Sequence, residues 1–236
     1  MAAVMVALVG CTTDTEEEEQ AQDVAVAASV LVTVERSSDL EAYADAVAVA
    51  LDDADLDFEG QAGSVVGTRG ALTYSITTDC FDSDGGAMAC DETTSAADVE
   101  ASIDGGLETA RYDNAITRAA TWRLDDLDGV PTLTGAASTS LDSTFEALYR
   151  VVDRRYLLEL EGDYDLTGSP DDPDDVTGTI AWTVDATRTR EVGSREADRT
   201  FSALVDVTFE GGTTTLVVDG TYVFTVDADT GDVIEE

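Results

Sequence analysis

From Tyr156 to Leu166 the side chains alternate. Tyr156, Leu158, Leu160, Gly162, Tyr164 and Leu166 fall on one side, and Leu157, Glu159, Glu161, Asp163 and Asp165 on the other. An extended chain turns successive side chains to opposite faces, so this run is a strand with one apolar and one acidic face. The scheme recurs in Leu72, Tyr74 and Ile76, in Ile180, Trp182, Val184 and Ala186, and in Phe201, Ala203, Val205, Val207 and Phe209. It recurs again in Phe145, Ala147, Tyr149 and Val151, and in Leu216, Val218, Gly220, Tyr222, Phe224 and Val226. In Ile116, Ala120, Trp122 and Leu124 the apolar side is interrupted by Arg118. Turn chemistry stands between these runs at Asp84-Gly85-Gly86, Asp104-Gly105-Gly106, Asp128-Gly129, Ser169 to Pro173, Gly211-Gly212 and Thr230-Gly231-Asp232.

Long one-sided strands in succession form an antiparallel sheet with a single face to bury. That face is covered by curling into a half-barrel or barrel, by folding into a sandwich, or by a helix packed upon it. The helix is at hand. Ser38-Asp39-Leu40-Glu41 matches a capping box, and Leu40, Tyr43, Ala44, Val47 and Leu51 follow at helical spacing, which predicts a helix over 39–54. Val24 to Val34 is apolar and reads equally as helix or strand. The pairs Gly162/Tyr164 and Gly220/Tyr222 read as tyrosine rings covering glycine gaps in a bent sheet. With no second break in composition, 24–236 reads as one mainly β domain.

The chain has 236 residues, 51 acidic and 12 basic, and a net charge of −39. So negative a surface repels phosphate backbones, which excludes nucleic acid as a partner. Disorder requires low hydrophobicity as well as charge, and 43% of these residues are hydrophobic. Every base is arginine. Without histidine there is no Ser-His-Asp or Cys-His site, and without lysine no Schiff base and no P-loop. A carboxylate pair of the glycosidase kind is the residual enzymatic reading. With so many acids such pairs arise by chance, so the chain is read as non-catalytic.

Oxygen-rich runs at Asp53 to Gly60, Asp82 to Gly86 and Asp227 to Asp232 resemble the starts of calcium loops. Phe58, Ala87 and Asp232 stand where such loops need glycine, and most acidic clusters here are solvated turns. Asp82 and Asp84 are the best calcium ligands the sequence offers, and no other cofactor is expected. Arg150, Arg154, Arg155, Arg188, Arg190, Arg195 and Arg199 read as cross-strand partners of Glu159, Glu191 and Glu196, with a local anion or partner patch as the alternative.

Leu8-Val9-Gly10-Cys11 closes an uncharged apolar run and precedes the acidic stretch Thr12 to Asp23. This tetrad resembles the lipobox of bacterial lipoproteins, and the β body is similar in texture to Thr- and Gly-rich all-β lipoproteins of GC-rich genomes. The resemblance implies a signal peptide over 1–10, diacylglycerol on Cys11, an acidic tether over 11–23, and export to the outer membrane on its periplasmic or surface side. That family carries Lys or Arg before the apolar segment, so a basic extension is expected ahead of Met1. Export leaves Cys80 and Cys90 as an even pair in an oxidising compartment, which favours a disulfide. The functional expectation is an anchored binding or structural module that contacts an unidentified protein or cell surface. A carrier of an apolar ligand in a lidded half-barrel is the alternative. An apolar pocket of about 300 Å³ or more would mark the carrier.

Overall fold

The computed structural model describes residues 17, 18, 20, 21, 24, 25, 39–52, 59–61, 63–69, 71–108, 112–146, 152–170, 172–192, 195–226 and 233–235. Among the described residues, helix α1 (Asp39–Ala50) precedes thirteen strands, and ahead of it residues 17, 18, 20, 21, 24 and 25 are also helical, which makes the start of the Val24 to Val34 run helix and not strand. They are β1 (Glu59–Gln61), β2 (Ser64–Arg69), β3 (Leu72–Phe81), β4 (Ala87–Met88), β5 (Ala96–Glu108), β6 (Tyr112–Asp125) and β7 (Thr132–Glu146), then β8 (Val152–Thr167), β9 (Thr177–Val192), β10 (Arg195–Glu210), β11 (Thr213–Val218), β12 (Tyr222–Val226) and β13 (Val233–Glu235).

All thirteen belong to one antiparallel sheet, in which every strand except β4 follows its predecessor in chain order and β4 hangs on β3. The sheet does not close, so neither a barrel nor a two-sheet sandwich forms. The strands β8, β9 and β10 have 16 residues each, about 50 Å of extended chain.

The alternation in sequence becomes an alternation in burial. Along β9, Ile180, Trp182, Val184 and Ala186 are buried between exposed neighbours, and Ala203, Val205, Val207 and Phe209 do the same on β10. Those inner-face residues form one continuous cluster that also takes in Leu40, Tyr43 and Val47 of α1 and Ala21, Val24 and Ala25. Burying a leucine or phenylalanine stabilises by about 1.5–3 kcal/mol, so this face dominates the folding energy. The outer face is polar, the reverse of a barrel whose strands face lipid.

Glycines let strands approach closely where the sheet bends. Gly135 has φ 139°, and a Cβ there would stand 2.4 Å from the Thr121 carbonyl oxygen. Gly178 has φ 131° and the same relation to Asp165, at 2.2 Å. Neither position accommodates a side chain without moving backbone.

Several sequence expectations need correction. The run Leu216 to Val226 is two strands, because Asp219 (φ 52°) and Gly220 (φ 65°) are both left-handed and, with Thr221, form a three-residue hairpin connection. Gly220 is therefore exposed at a turn, and the likeness to Gly162 in mid-strand is one of sequence only. Asp104-Gly105-Gly106 lies inside β5, not at a turn. Strand β5 and all of β7 before Phe145 were not foreseen, because inner positions such as Ala97, Ala101, Ala137 and Thr139 carry little apolar signal. Helix α1 ends at Ala50, short of Ala54, because Asp52 turns left-handed (φ 54°) and caps it. Ala147, Tyr149, Val151, the segment 26–34 and the 230–232 turn lie outside the described residues.

Candidate functional site

The interruption at Arg118 has a counterpart. Arg118 occupies an inner-face position of β6 and is 2% exposed, and Asp39, the first residue of α1, comes down on it at 1% exposure. Arg118 Nη1 lies 2.6 Å from Asp39 Oδ1. Arg118 Nε donates to Thr139 Oγ1 at 3.1 Å on β7, and the Tyr164 hydroxyl on β8 donates to Asp39 Oδ2 at 3.2 Å. Further along α1 the buried Tyr43 hydroxyl donates to the Gly168 carbonyl at 3.1 Å. These contacts tie the helix to strands it does not otherwise follow.

The cluster is not fully satisfied. Nη1 and Oδ1 are at ion-pair distance but off the hydrogen-bond line. Both atoms, Arg118 Nη2 and Trp122 Nε1 are buried without a hydrogen-bond partner among the described residues. The Tyr164 ring packs at a tilt on Trp122, 5.9 Å between centroids. Burial pushes the Asp39 carboxyl above its ordinary range, opposed by the Arg118 charge and the Tyr164 hydrogen bond. Burial also pushes both tyrosine hydroxyls up, and at Tyr164 the Asp39 charge adds to it. An ion pair this deep is costly to desolvate, so stability alone is weak grounds for its presence.

Charge divides between the two faces. Among the described side chains from β3 to β12, those charged on the inner face are Arg118, Arg188 and Arg199, and no carboxylate stands there. The carboxylates brought to that face, Asp39 and Asp45, come from α1. The outer face carries the acids. There Arg123 pairs with Asp98 at 3.0 Å and Asp125 at 2.9 Å, and Arg155 pairs with Asp142 through two hydrogen bonds. Arg155 therefore meets Asp142 and not Glu159, whose carboxylate accepts from Ser140 at 2.8 Å. Register sets Arg154 opposite Arg190 and Arg199 opposite Arg188, so the arginine-rich runs do converge at one end of β8, β9 and β10.

A furrow of about 710 Å³ crosses the outer face, floored by Ala119, Ala136 and Ala181 and flanked by Glu100, Glu161 and Asp163. Its lining is small and polar, unlike the apolar pocket a carrier would present. Asp82 closes the β3–β4 hairpin: its Oδ1 accepts from the backbone N–H of Asp84 at 3.0 Å and of Gly86 at 2.7 Å. Among the described residues no three His, Cys, Asp or Glu side chains gather as a metal site. Cys80 and Cys90 are bridged. The disulfide is buried below the end of α1, with Cys80 Sγ 3.6 Å from the Ala50 carbonyl oxygen.

The lipobox, Cys11 and the runs 53–58 and 227–232 lie outside the described residues, whereas Glu17, Glu18, Gln20 and Ala21 of the expected tether are helical and Ala21 is buried in the core. No helix among the described residues is long and apolar enough to cross a membrane. Sequence reasoning saw Arg118 as an intrusion and Asp39 as part of a cap. Opposite charges on the first helical turn and on an apolar strand face were the signal that could have joined them. No protein-family model, curated protein or solved structure matches the chain.

Proposed function

We propose that this chain is a non-catalytic binding or structural module, held at the outer membrane by lipid on Cys11 and acting through the outer face of its sheet. The supporting observation is the division of the sheet. Its deepest inner charge, Arg118, is sealed by Asp39 of α1, whereas the outer face is exposed along β3 to β10 and hollowed by small side chains at Ala119, Ala136 and Ala181. A broad, furrowed polar face suits a protein or cell-surface contact.

The test has two arms. Cys11→Ala leaves the protein in the aqueous phase of a detergent partition, where the parent enters the detergent phase; equal partition removes the anchor. Pull-down from detergent-solubilised membranes then compares the parent with Ala136→Arg plus Ala181→Arg. A partner kept by the parent and lost by the variant supports the outer face. Turnover of a glycan by the purified chain, abolished by a single carboxylate substitution, overturns the non-catalytic reading.

A further inference from the structure

A chain with 51 acids and 12 arginines has kept carboxylates off the described inner face from β3 to β12 and put arginine there. The deepest of these, Arg118, stands between Ile116 and Ala120 on its own strand, with Leu141 and Leu160 buried on the next two. A guanidinium offers a carboxylate two parallel N–H groups. Asp39 takes up only part of that offer: one of its oxygens turns to Tyr164, the other meets Nη1 off the hydrogen-bond line, and Arg118 Nη2 has no hydrogen-bond partner among the described residues. Trp122 Nε1, on the same strand face, is a second buried donor in the same condition. Donors here exceed what Asp39 accepts.

We propose that Arg118 is an anion receptor held shut by Asp39, and that its ligand is an amphiphile with one carboxylate on an unbranched apolar chain, admitted when the first turn of α1 leaves the sheet. The inference goes beyond the module proposed above; neither the anchor nor a protein partner enters it. The carboxylate of the ligand replaces that of Asp39 on Arg118, reaching Nη2 as well. Its apolar chain takes the place of Leu40 and Tyr43 against the inner face. The first turn is suited to yield: three of the helix's seven buried apolar side chains are small (Ala42, Ala46 and Ala50 beside Leu40, Tyr43, Val47 and Val49), and Asp39 holds the turn to the sheet through Arg118 and Tyr164. A carboxylate fixed beside its own receptor is an internal competitor, so the ligand's apparent affinity is lowered by the fraction of time the site is closed.

The experiment titrates the full chain with tetradecanoate, and with tetradecanol as the uncharged control, below their micelle concentrations. Calorimetry and the emission of Trp122 and Trp182 report binding. The parent is expected to prefer the acid by at least about tenfold, the factor a well-paired buried charge supplies. Asp39→Asn, which removes the competitor, tightens the acid about tenfold and leaves the alcohol unchanged. Asp39→Leu with Arg118→Leu keeps an apolar, folded core and loses the preference. Should that pair fail to fold by circular dichroism, Arg118→Gln with Asp39→Asn answers the same question. A structural pin predicts no saturable binding in any variant, and that result overturns the proposal. Equal binding of acid and alcohol, or a preference that survives loss of Arg118, overturns it too.

Discussion

Trp182 lies across Gly162, its register partner on the neighbouring strand, so closely that a Cβ on Gly162 would stand 2.5 Å from the ring's Cδ1. The same Cβ would lie 3.1 Å from Tyr164 Cε2. The glycine is thus the floor on which two aromatic rings settle, and Tyr164 is the residue that reaches Asp39.

Gly162→Ala should therefore destabilise the sheet by about 1–3 kcal/mol, the usual cost of forcing a methyl into a packed core. The control is Gly220→Ala, where nothing stands within 4 Å but φ is 65°. Thermal unfolding followed by tryptophan emission should show a changed folded-state spectrum for Gly162→Ala and an unchanged one for Gly220→Ala. Identical spectra would mean that Trp182 does not rest on Gly162.

Breaking the Asp39–Arg118 pair from one side leaves a buried, uncompensated charge. Arg118→Leu or Asp39→Leu should each cost about 3–5 kcal/mol, whereas the double leucine variant should recover most of that loss. Denaturant unfolding in a double-mutant cycle measures the coupling. Additive losses would show that the two residues do not act together.

Reduction of Cys80–Cys90 frees a loop with a sequence separation of 10. The loop-entropy model assigns such a bridge about 2.5–3 kcal/mol. Because the bridge is buried against the end of α1, Cys80→Ala with Cys90→Ala should also loosen the helix, read as faster amide exchange at Val49 and Ala50. Loss confined to the β3–β4 hairpin would place the helix outside its influence.

Two carboxyls should move stability with pH in opposite directions. Asp142 is held below the usual carboxylate range, first by its hydrogen bond from Arg155 and then by that residue's charge. Its contribution is complete above the unfolded value of about 3.9 and is lost as pH falls through the lower folded value. Asp39 is raised by burial, so its contribution is present in acid and is lost as pH rises through its folded value. The stability difference between parent and Asp142→Asn should shrink below about pH 4. For Asp39→Asn, the parent should gain relative to the variant as pH falls. Parallel profiles for all three proteins would contradict both assignments.

Salt should stabilise the fold, because outer-face acids repel one another across a chain of net charge −39. Screening completes most of this gain by a few hundred millimolar, where the Debye length is well under about 10 Å. Calcium at matched ionic strength should add little, since Asp82 Oδ1 is already engaged by two backbone N–H groups of its own turn. A rise of several degrees in Tm at about 1 mM calcium, lost in Asp82→Asn with Asp84→Asn, would make these residues a calcium site.

The sheet was legible in the chain because strand geometry is local. A period of two needs no partner to be read, and Tyr156 to Leu166 or Phe201 to Phe209 declare their buried face by themselves. Helix α1 and the disulfide were legible for the same reason, one from its spacing and the other from an even cysteine count. Strand β5 and most of β7 escaped because small residues such as Ala97, Ala137 and Thr139 are buried by their neighbours' size, not by their own hydrophobicity. The meeting of Asp39 with Arg118 was decided by tertiary structure alone. Nothing local to a helix start or to one strand specifies which distant charge it faces; only the curl of the sheet around α1 brings them to 2.6 Å. The same holds for the outer furrow, a shape made from small side chains on several strands that no single strand contains.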